Sequence, residues 1–290
     1  MQKKLGIVIL NWNNKKEILQ CLESIKRSGH MESVVIVDNG SEDRSLKKIR
    51  NQNPEVRIIE NKKNLGFAEG NNIGIRYLLG KGTQYILILN PDTEIEKDTI
   101  PNLLKVMEED KSIGITGPKI FSSNNKIWSA GGVLEQNRYS GGLIGLGESN
   151  KSKYDEMKEV DFISGTAMMV KREVFEKCGL FNPDYFIYYE DVELNLRAKK
   201  SGYKLVFIPT STITHHESSS MGKNSPAQEY YMARNHLFFV DRNAGFMIKL
   251  REMIRLPKTL YEHASKKEKF AMLGIKDYFL KRFGKYDYRS

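Results

Sequence analysis

Two carboxylates stand in contexts that suit chemistry. The first is Asp92, in Leu87-Ile88-Leu89-Asn90-Pro91-Asp92-Thr93-Glu94-Ile95. An apolar run from Tyr85 to Leu89 reads as a buried strand, and Pro91, with no N–H for a sheet ladder, marks its stop. A carboxylate just past the C-terminal end of such a strand lies where open α/β sheets bind ligands. It suits a hard cation and, through the cation, a diphosphate. A turn that caps the next helix fits the same stretch equally well. The second is Asp191, in Tyr188-Tyr189-Glu190-Asp191-Val192-Glu193. The aromatic run partly buries it, which makes it a candidate general base. Glu190 and Glu193 fit the ordinary preference of acids for a helix N-terminus. Thr214-His215-His216-Glu217 follows the apolar Ile213. Adjacent strand residues face opposite sides, so at most one of the two histidines serves a given site. A lone histidine is usually structural, but one near a carboxylate-metal site is a candidate ligand.

These residues need elements to hold them. Residues 5–10 read as a buried strand running into Asn11-Trp12-Asn13-Asn14, then a helix with Ile18, Leu22 and Ile25 on its apolar face. Strands follow over 33–38, 56–60 and 85–90, with helices to about Arg50, through Leu79, and from about Asp98 to Glu108. A fifth strand lies within 113–120. FISGTAMMV (162–170) reads as a strand and 171–177 as a short helix stopped by Gly179. The helix opened by Glu190 stops at Gly202, and 203–208 is a strand. Strands alternating with helices mean βαβ units, a mostly parallel sheet and right-handed crossovers. Asn11, Asp38, Asn64 and Asp92 then lie at or beyond the C-terminal ends of four successive strands. Each alone is better read as a turn-former or cap; their shared edge raises the functional reading. The first βα turn, NWNNKK, has no glycine, which excludes the dinucleotide fingerprint, and no phosphate-loop motif exists. A bound nucleotide would be held by side chains at strand ends and by a metal. Residues 121–159 read as an irregular or hairpin segment, long enough to be functional. Its Trp128 and Tyr139 suit stacking on a sugar face or pinning the loop to the body.

The 290 residues, 40% hydrophobic and 28% charged, are those of an ordinary globular protein. No apolar run reaches the ~18 residues of a bilayer span, and the N-terminus reads as a first strand rather than a secretory signal. Cys21 and Cys178 have no metal-ligand spacing and read as reduced, buried core thiols in a cytoplasmic protein. Of the formal charge of +10, residues 245–290 carry 12 Lys/Arg against 5 Asp/Glu, or 12 − 5 = +7. A neutral body with a basic, aromatic-studded tail points to an anionic membrane surface or an acidic partner, with a solvated helical face as the plain alternative. Nucleic acid has the charge but no recognition motif in its favour. The tail reads as two helices, the first ended by Pro257, the second over about 266–282. Packing on the body, dimerisation and membrane contact are all open to them.

In this order and spacing, several pieces resemble the family-2 inverting glycosyltransferases of the GT-A fold, in the rhamnosyltransferase-like branch that builds bacterial or archaeal surface polysaccharides. They are VILNWNN, VDNGSEDRS, NLGFAEGNNIGI, LNPDTE, SGTAMMVKREVFEKCGLF, YYEDVELNLRAKKSGY and an IP…H…S ending, spread over about residues 4–243. The resemblance implies a Rossmann-like, mostly parallel sheet flanked by helices. Residues 1–120 would form a nucleotide-sugar-binding half, 121–243 an acceptor and catalytic half, and 244–290 a basic helical tail.

The resemblance also assigns roles. Asn11, Asp38 and Asn39 line the base and ribose of a nucleoside diphosphate, and Asn64 and Gly66 close its pocket. Asn90-Pro91-Asp92 occupies the D-x-D position, Asp92 binding Mg2+ or Mn2+ with His215 beside it. Asn90 departs from the family's first aspartate and leaves one strong carboxylate. Asp191 is the general base, and Arg234, with Asn235, belongs to a helix closing over the donor. Trp128 and Glu190 are candidates for acceptor contact. The implied reaction moves a sugar from dTDP-rhamnose or a UDP-sugar to a glycan or lipid-linked acceptor, in the cytoplasm or peripherally on the inner face of the membrane. A sugar-nucleotide pyrophosphorylase and a non-catalytic binding subunit are the competing readings. The first lacks the glycine- and lysine-rich loop it needs after the first strand.

Overall fold

The computed structural model describes residues 4–216 and 225–286. The serine part of the IP…H…S ending and the last four residues of the tail lie outside them. In chain order the first part runs β1 (Leu5–Asn11), α1 (Lys15–Ser28), β2 (Val34–Asp38), α2 (Ser45–Gln52), β3 (Arg57–Glu60), α3 (Gly66–Gly80), β4 (Tyr85–Leu89), β5 (Thr93–Ile95) and α4 (Thr99–Glu109). Next come β6 (Ile113–Ser122), β7 (Ile127–Ser129), β8 (Gly132–Glu135), β9 (Ser140–Leu143), β10 (Lys158–Glu159), β11 (Ala167–Lys171) and α5 (Arg172–Cys178). The chain then follows α6 (Glu190–Lys200), β12 (Lys204–His215), α7 (Pro226–Asn243), α8 (Phe246–Ser265) and α9 (Lys269–Phe279).

One sheet gathers strands from both halves of the chain, in the order β3-β2-β1-β4-β11-β6-β12-β10. Its first four strands are parallel, β11 runs antiparallel to both β4 and β6, and β12 is parallel to β6. Short β5 and β7 pair antiparallel with β12 and β6, and β8 and β9 form a separate hairpin. The central strands are apolar throughout because helices cover both faces. Alternation splits them between two cores. Ile7, Ile9, Leu87 and Leu89 pack with Ile18, Leu22 and Ile25 of α1 and Leu103 of α4 on one face. Val8, Ile86 and Ile88 pack with Ile75 of α3, Val174 of α5 and Leu194 of α6 on the other.

Several elements differ from the sequence expectation, each for a physical reason. Residues 162–166 are not strand; β11 begins at Ala167. Their peptide groups bond elsewhere: both backbone groups of Ile163 to the Asn195 amide, Gly165 N–H to Asp191, and Thr166 C=O to Asn90 N–H. β12 continues past residue 208 to His215, with a break in register between Ile208 and Thr212 around Pro209, which has no ladder N–H to give. The chain re-enters the sheet as β5 directly after Pro91 and Asp92. Pro257 lies inside α8 rather than ending it. Its missing donor leaves one carbonyl on a mostly exposed helix, where water can serve it. Cys21 is buried as expected, whereas Cys178 is half-buried and donates to Ser201 Oγ at 3.3 Å.

In the tail, α9 packs on α7. A Cβ on Gly274 would collide with the Tyr230 carbonyl oxygen, so the two helices touch backbone to backbone. Tyr230 Oη donates to Asp277 Oδ2 at 2.7 Å across the same contact. α8 lies outside this pair, and Glu252 is its one buried residue.

Candidate active site

The parallel register sets Asn11 beside Asp38 at the ends of β1 and β2. Asn11 Nδ2 donates to Asp38 Oδ1 at 2.8 Å and to Ser45 Oγ at 2.9 Å. Asp38 Oδ2 accepts from the backbone N–H groups of Gly40 and Ser41 at 3.1 and 2.9 Å. Asn39 Nδ2 donates to the Gly66 carbonyl at 3.0 Å, and Asn64 Oδ1 accepts from Gly66 N–H at 2.8 Å. The expected nucleotide-binding residues Asn11, Asp38, Asn39, Asn64 and Gly66 thus form one hydrogen-bonded edge. Gly66 has φ +83°, and a Cβ there would lie 2.5 Å from the Phe186 carbonyl oxygen. That oxygen accepts from Phe67 N–H at 2.7 Å and caps the start of α3. That edge is therefore seated on the segment that leads to Asp191.

At the neighbouring strand end, His215 Nε2 lies 3.2 Å from Asp92 Oδ1, and both side chains are about nine-tenths buried. The β5–β12 ladder makes this pair, placing His215 opposite Thr93 and bonding His216 N–H to the Asp92 carbonyl at 2.8 Å. His216 turns to Glu94 instead, at 2.8 Å, so one histidine of the two reaches the Asp92 site. Trp128 packs edge-on against the His215 ring, centroids 4.7 Å apart, and is thereby tied to the same place. Among the described residues no three His, Cys, Asp or Glu side chains form a metal cluster. Asp92 and His215 do fit a shared cation: a carboxylate oxygen and an imidazole nitrogen in a dry position, with further positions left for ligand oxygens. Buried beneath, the Cys21 thiol has its pKa pushed up to about 12 by burial and is inert.

Asp191 sits in the first turn of α6, half-buried. Its Oδ2 accepts from Gly165 N–H and its Oδ1 from Val192 N–H, both at 2.8 Å. Burial raises its pKa, and these N–H groups partly offset the rise. Thr166, next to Gly165, accepts from Asn90 N–H at 2.9 Å. One short loop therefore joins the candidate base to the turn that carries Asp92. Glu190 is 3% exposed and its Oε2 has no hydrogen-bond partner. Burial first, then the neighbouring Asp191 charge, raise its pKa well above the carboxylate range. Expected to touch an acceptor, Glu190 is instead enclosed: it presents no surface to one.

Arg234 also departs from expectation. It is 1% exposed, and its guanidinium donates to the carbonyls of Asp184, Tyr185 and Gly284 at 3.0, 2.9 and 2.7 Å. A fork so engaged holds backbone rather than a nucleotide. Asn235 Nδ2 bonds the carbonyls of Tyr185, Ile187 and Tyr188 at 2.9, 2.8 and 2.9 Å, and its Oδ1 accepts from Arg234 Nε at 2.9 Å. The segment they grip contains Phe186, Tyr188 and Tyr189, all with positive φ. Such backbone in bulky residues is strained and persists only where its surroundings hold it. Sequence reading also passed over Asn195, whose amide ties Ile163 to the Asp191 carbonyl. The available signal was an asparagine between two leucines on a helix, where a buried amide needs partners.

The fold is that of GT-A glycosyltransferases. It matches a crystal structure of GalNAc-T7 with UDP, GalNAc and Mn2+ at TM-score 0.65 and 18% identity, covering 83% of this chain and 48% of that one. It matches the mannosyltransferase PcManGT of Pyrobaculum calidifontis, in complex with GDP-Man and Mn2+, at TM-score 0.59 and 15% identity, covering 96% and 74%. Residues 6–179 match the family Glycosyl transferase family 2, and the chain belongs to that family: it is a glycosyltransferase. Among its relatives, the dTDP-rhamnosyl transferase RfbF of Shigella flexneri is 27% identical over 263 residues, 88% of this chain and 86% of that protein. The low-salt glycan biosynthesis hexosyltransferase Agl10 of Haloferax volcanii is 27% identical over 248 residues, 84% and 77%. The N-acetylglucosaminyl-diphospho-decaprenol L-rhamnosyltransferase of Mycobacterium tuberculosis is 27% identical over 237 residues, 74% and 76%.

Proposed function

We propose that this enzyme transfers a sugar, rhamnose or another hexose, from a nucleoside-diphosphate donor to a glycan or lipid-linked acceptor, with inversion at the anomeric carbon. The observation that supports the reading is the single loop between Asp191 and the Asn90–Asp92 turn, because it ties the proposed base and the proposed diphosphate site to one short stretch of backbone. The relatives' names and the nucleotides in the matched structures support the substrate class.

In this mechanism Asn11, Asp38, Asn39 and Asn64 bind the nucleoside at the ends of β1 to β3. Asp92 and His215 would hold a divalent cation, which when bound supplies positive charge for the leaving diphosphate. The acceptor hydroxyl gives its proton to Asp191 as its oxygen bonds to the anomeric carbon. The bond from that carbon to the diphosphate oxygen breaks, and its electron pair leaves with the diphosphate. A raised pKa makes Asp191 a stronger base than an ordinary aspartate. Burial disfavours a competing charge on Glu190 beside it. No second carboxylate nucleophile is required, since a single displacement needs none.

The test is thermal unfolding with UDP, dTDP, GDP or ADP, with and without Mn2+, in the wild type and in Asp92→Ala. A ligand at 100 times its Kd adds about 2.7 kcal/mol of stability. One diphosphate is expected to stabilise the wild type in a metal-dependent way and to lose that dependence in Asp92→Ala. No shift with any of the four at saturating concentration rules the reading out.

A further inference from the structure

We propose that α8 is a membrane-docking helix whose outward face inserts into the headgroup region of an anionic lipid surface. This goes beyond the sugar-transfer reading and does not depend on it.

The helix turns one apolar stripe away from the protein. Phe246, Met247, Leu250, Met253, Ile254 and Tyr261 are all exposed, with Phe246 at 75%, Ile254 at 73% and Tyr261 at 75%. At 3.6 residues per turn these six fall within an arc of roughly 120°. Pro257 lies in the same arc and is also exposed. The anchored side is opposite: buried Glu252 bonds His236 Nε2 at 3.4 Å, and the other nitrogen of that ring lies 3.1 Å from Tyr189 Oη. The stripe therefore cannot serve the fold by turning inward, because the inward side is already fixed to α7. Large apolar residues clustered on one exposed face mark an interaction site, whereas single ones do not.

Charge selects the occupant. Arg251 and Lys258 border the stripe on one side and Lys249 on the other, Lys258 in a loose exposed pair with Glu262 and Lys249 with Asp241, both at 3.9 Å, and the arc itself contains no acid. Such side chains lay their stems along apolar surface and lift their charges to its rim. Exposed Lys266, Lys267 and Lys269 follow at the helix end. An apolar stripe rimmed by cations is the pattern of a helix lying in a membrane interface, where burial and attraction to anionic headgroups add. Among the described residues no helix is long and apolar enough to cross a membrane, so the contact is with one leaflet. A second copy of the chain fits less well, since two such faces would bring Arg251, Lys266, Lys267 and Lys269 of each copy together with few acids to face them.

The experiment is co-sedimentation of the full chain with vesicles of phosphatidylcholine alone or mixed with phosphatidylglycerol. It is done at low salt and at molar salt, where the Debye length falls to about 3 Å. The variants are Phe246→Glu with Ile254→Glu, and Lys249→Glu with Lys258→Glu, all at exposed positions and so compatible with an unchanged melting temperature. The wild type is expected to bind the anionic vesicles about tenfold more tightly than the neutral ones, to release in molar salt, and to lose about tenfold in either variant. Failure of the wild type to bind anionic vesicles at low salt overturns the proposal. So does a Phe246/Ile254 variant that binds like the wild type. A wild-type dimer in light scattering that the Phe246/Ile254 variant converts to monomer, without vesicle binding, assigns the face to a second copy instead.

Discussion

The Asn235 amide donates to the Tyr188 carbonyl at 2.9 Å, three residues ahead of Asp191. Two more bonds, to Tyr185 and Ile187, come from the same nitrogen. A helix from the C-terminal part of the chain thus holds the strained turn from which Asp191, the proposed base, is presented. If Asp191 is the base, Asn235, which bonds only backbone carbonyls and Arg234, acts as a positioning residue. Asn235→Ala leaves three buried carbonyls without that donor, a loss of about 1–3 kcal/mol in stability. Turnover should fall about 10- to 100-fold, as small displacements of a catalytic group do. The nucleotide-dependent thermal shift should weaken far less than turnover, because the proposed donor edge meets the segment that Asn235 grips only through the Gly66–Phe186 contact. Equal losses in kcat and in donor binding would show that Asn235 supports the whole fold rather than the base.

Glu190 makes a prediction about pH. Its folded pKa is raised well above the ordinary 4.5, chiefly by burial. The unfolded chain loses this proton near the ordinary value, while the folded protein keeps it to higher pH. Between those two values the folded state binds more protons, so stability falls as pH rises. Glu190→Gln keeps the shape and removes the titration. The variant should match the wild type at acid pH, exceed it in the alkaline direction, and show a flatter slope. Urea unfolding at a series of pH values measures this. Parallel slopes in the two proteins would mean that Glu190 is ionised in the folded state.

The shared edge of polar strand ends was legible in the sequence because a buried strand that ends in Asn or Asp announces both its direction and its exit. Asn11, Asp38 and Asp92 were placed on one edge in that way, and strand alternation left at most one of the two histidines for a given site. Asn195, Asn235 and the true use of Arg234 were hidden. Their partners are backbone carbonyls far away in the chain, and a carbonyl carries no residue-type signal. Residues 162–166 were misread for a related reason. Phe162-Ile163 followed by Ala167-Met168-Met169 looks continuous, but the peptide groups between them are bonded to Asn195, Asp191 and Asn90. Pro257 misled in the other direction: a proline reads as a helix end, and an exposed helix can carry one at a cost of about 3 kcal/mol.

Asp191→Asn should reduce turnover by about 10²- to 10⁴-fold, the range that general-base removal costs. The thermal shift with nucleoside diphosphate should be unchanged, since Asp191 faces Gly165 and Val192 rather than the donor edge. The base must be ionised to work, and burial raises its pKa above the ordinary 3.8. The acid limb of kcat/KM should therefore lie above that value and disappear from the residual activity of Asp191→Asn. An Asp191→Asn enzyme with near wild-type turnover removes the carboxylate from the mechanism.

Gly66→Ala tests how the two parts of the site are joined. The backbone there has φ +83°, which a residue with a Cβ adopts only under strain, and the new methyl would stand 2.5 Å from the Phe186 carbonyl oxygen. That oxygen caps α3 through Phe67 and belongs to the turn that Asn235 grips. Neither backbone can yield alone, because Asn39 holds Gly66 from the other side. The substitution should cost about 1–3 kcal/mol, lower the affinity for nucleoside diphosphate, and lower kcat with saturating donor. A loss of donor affinity alone would mean that the contact between Gly66 and Phe186 serves the nucleotide pocket and not the base. A fall in both, with the overall fold intact by circular dichroism, is the outcome expected if one turn carries the strain of both sites.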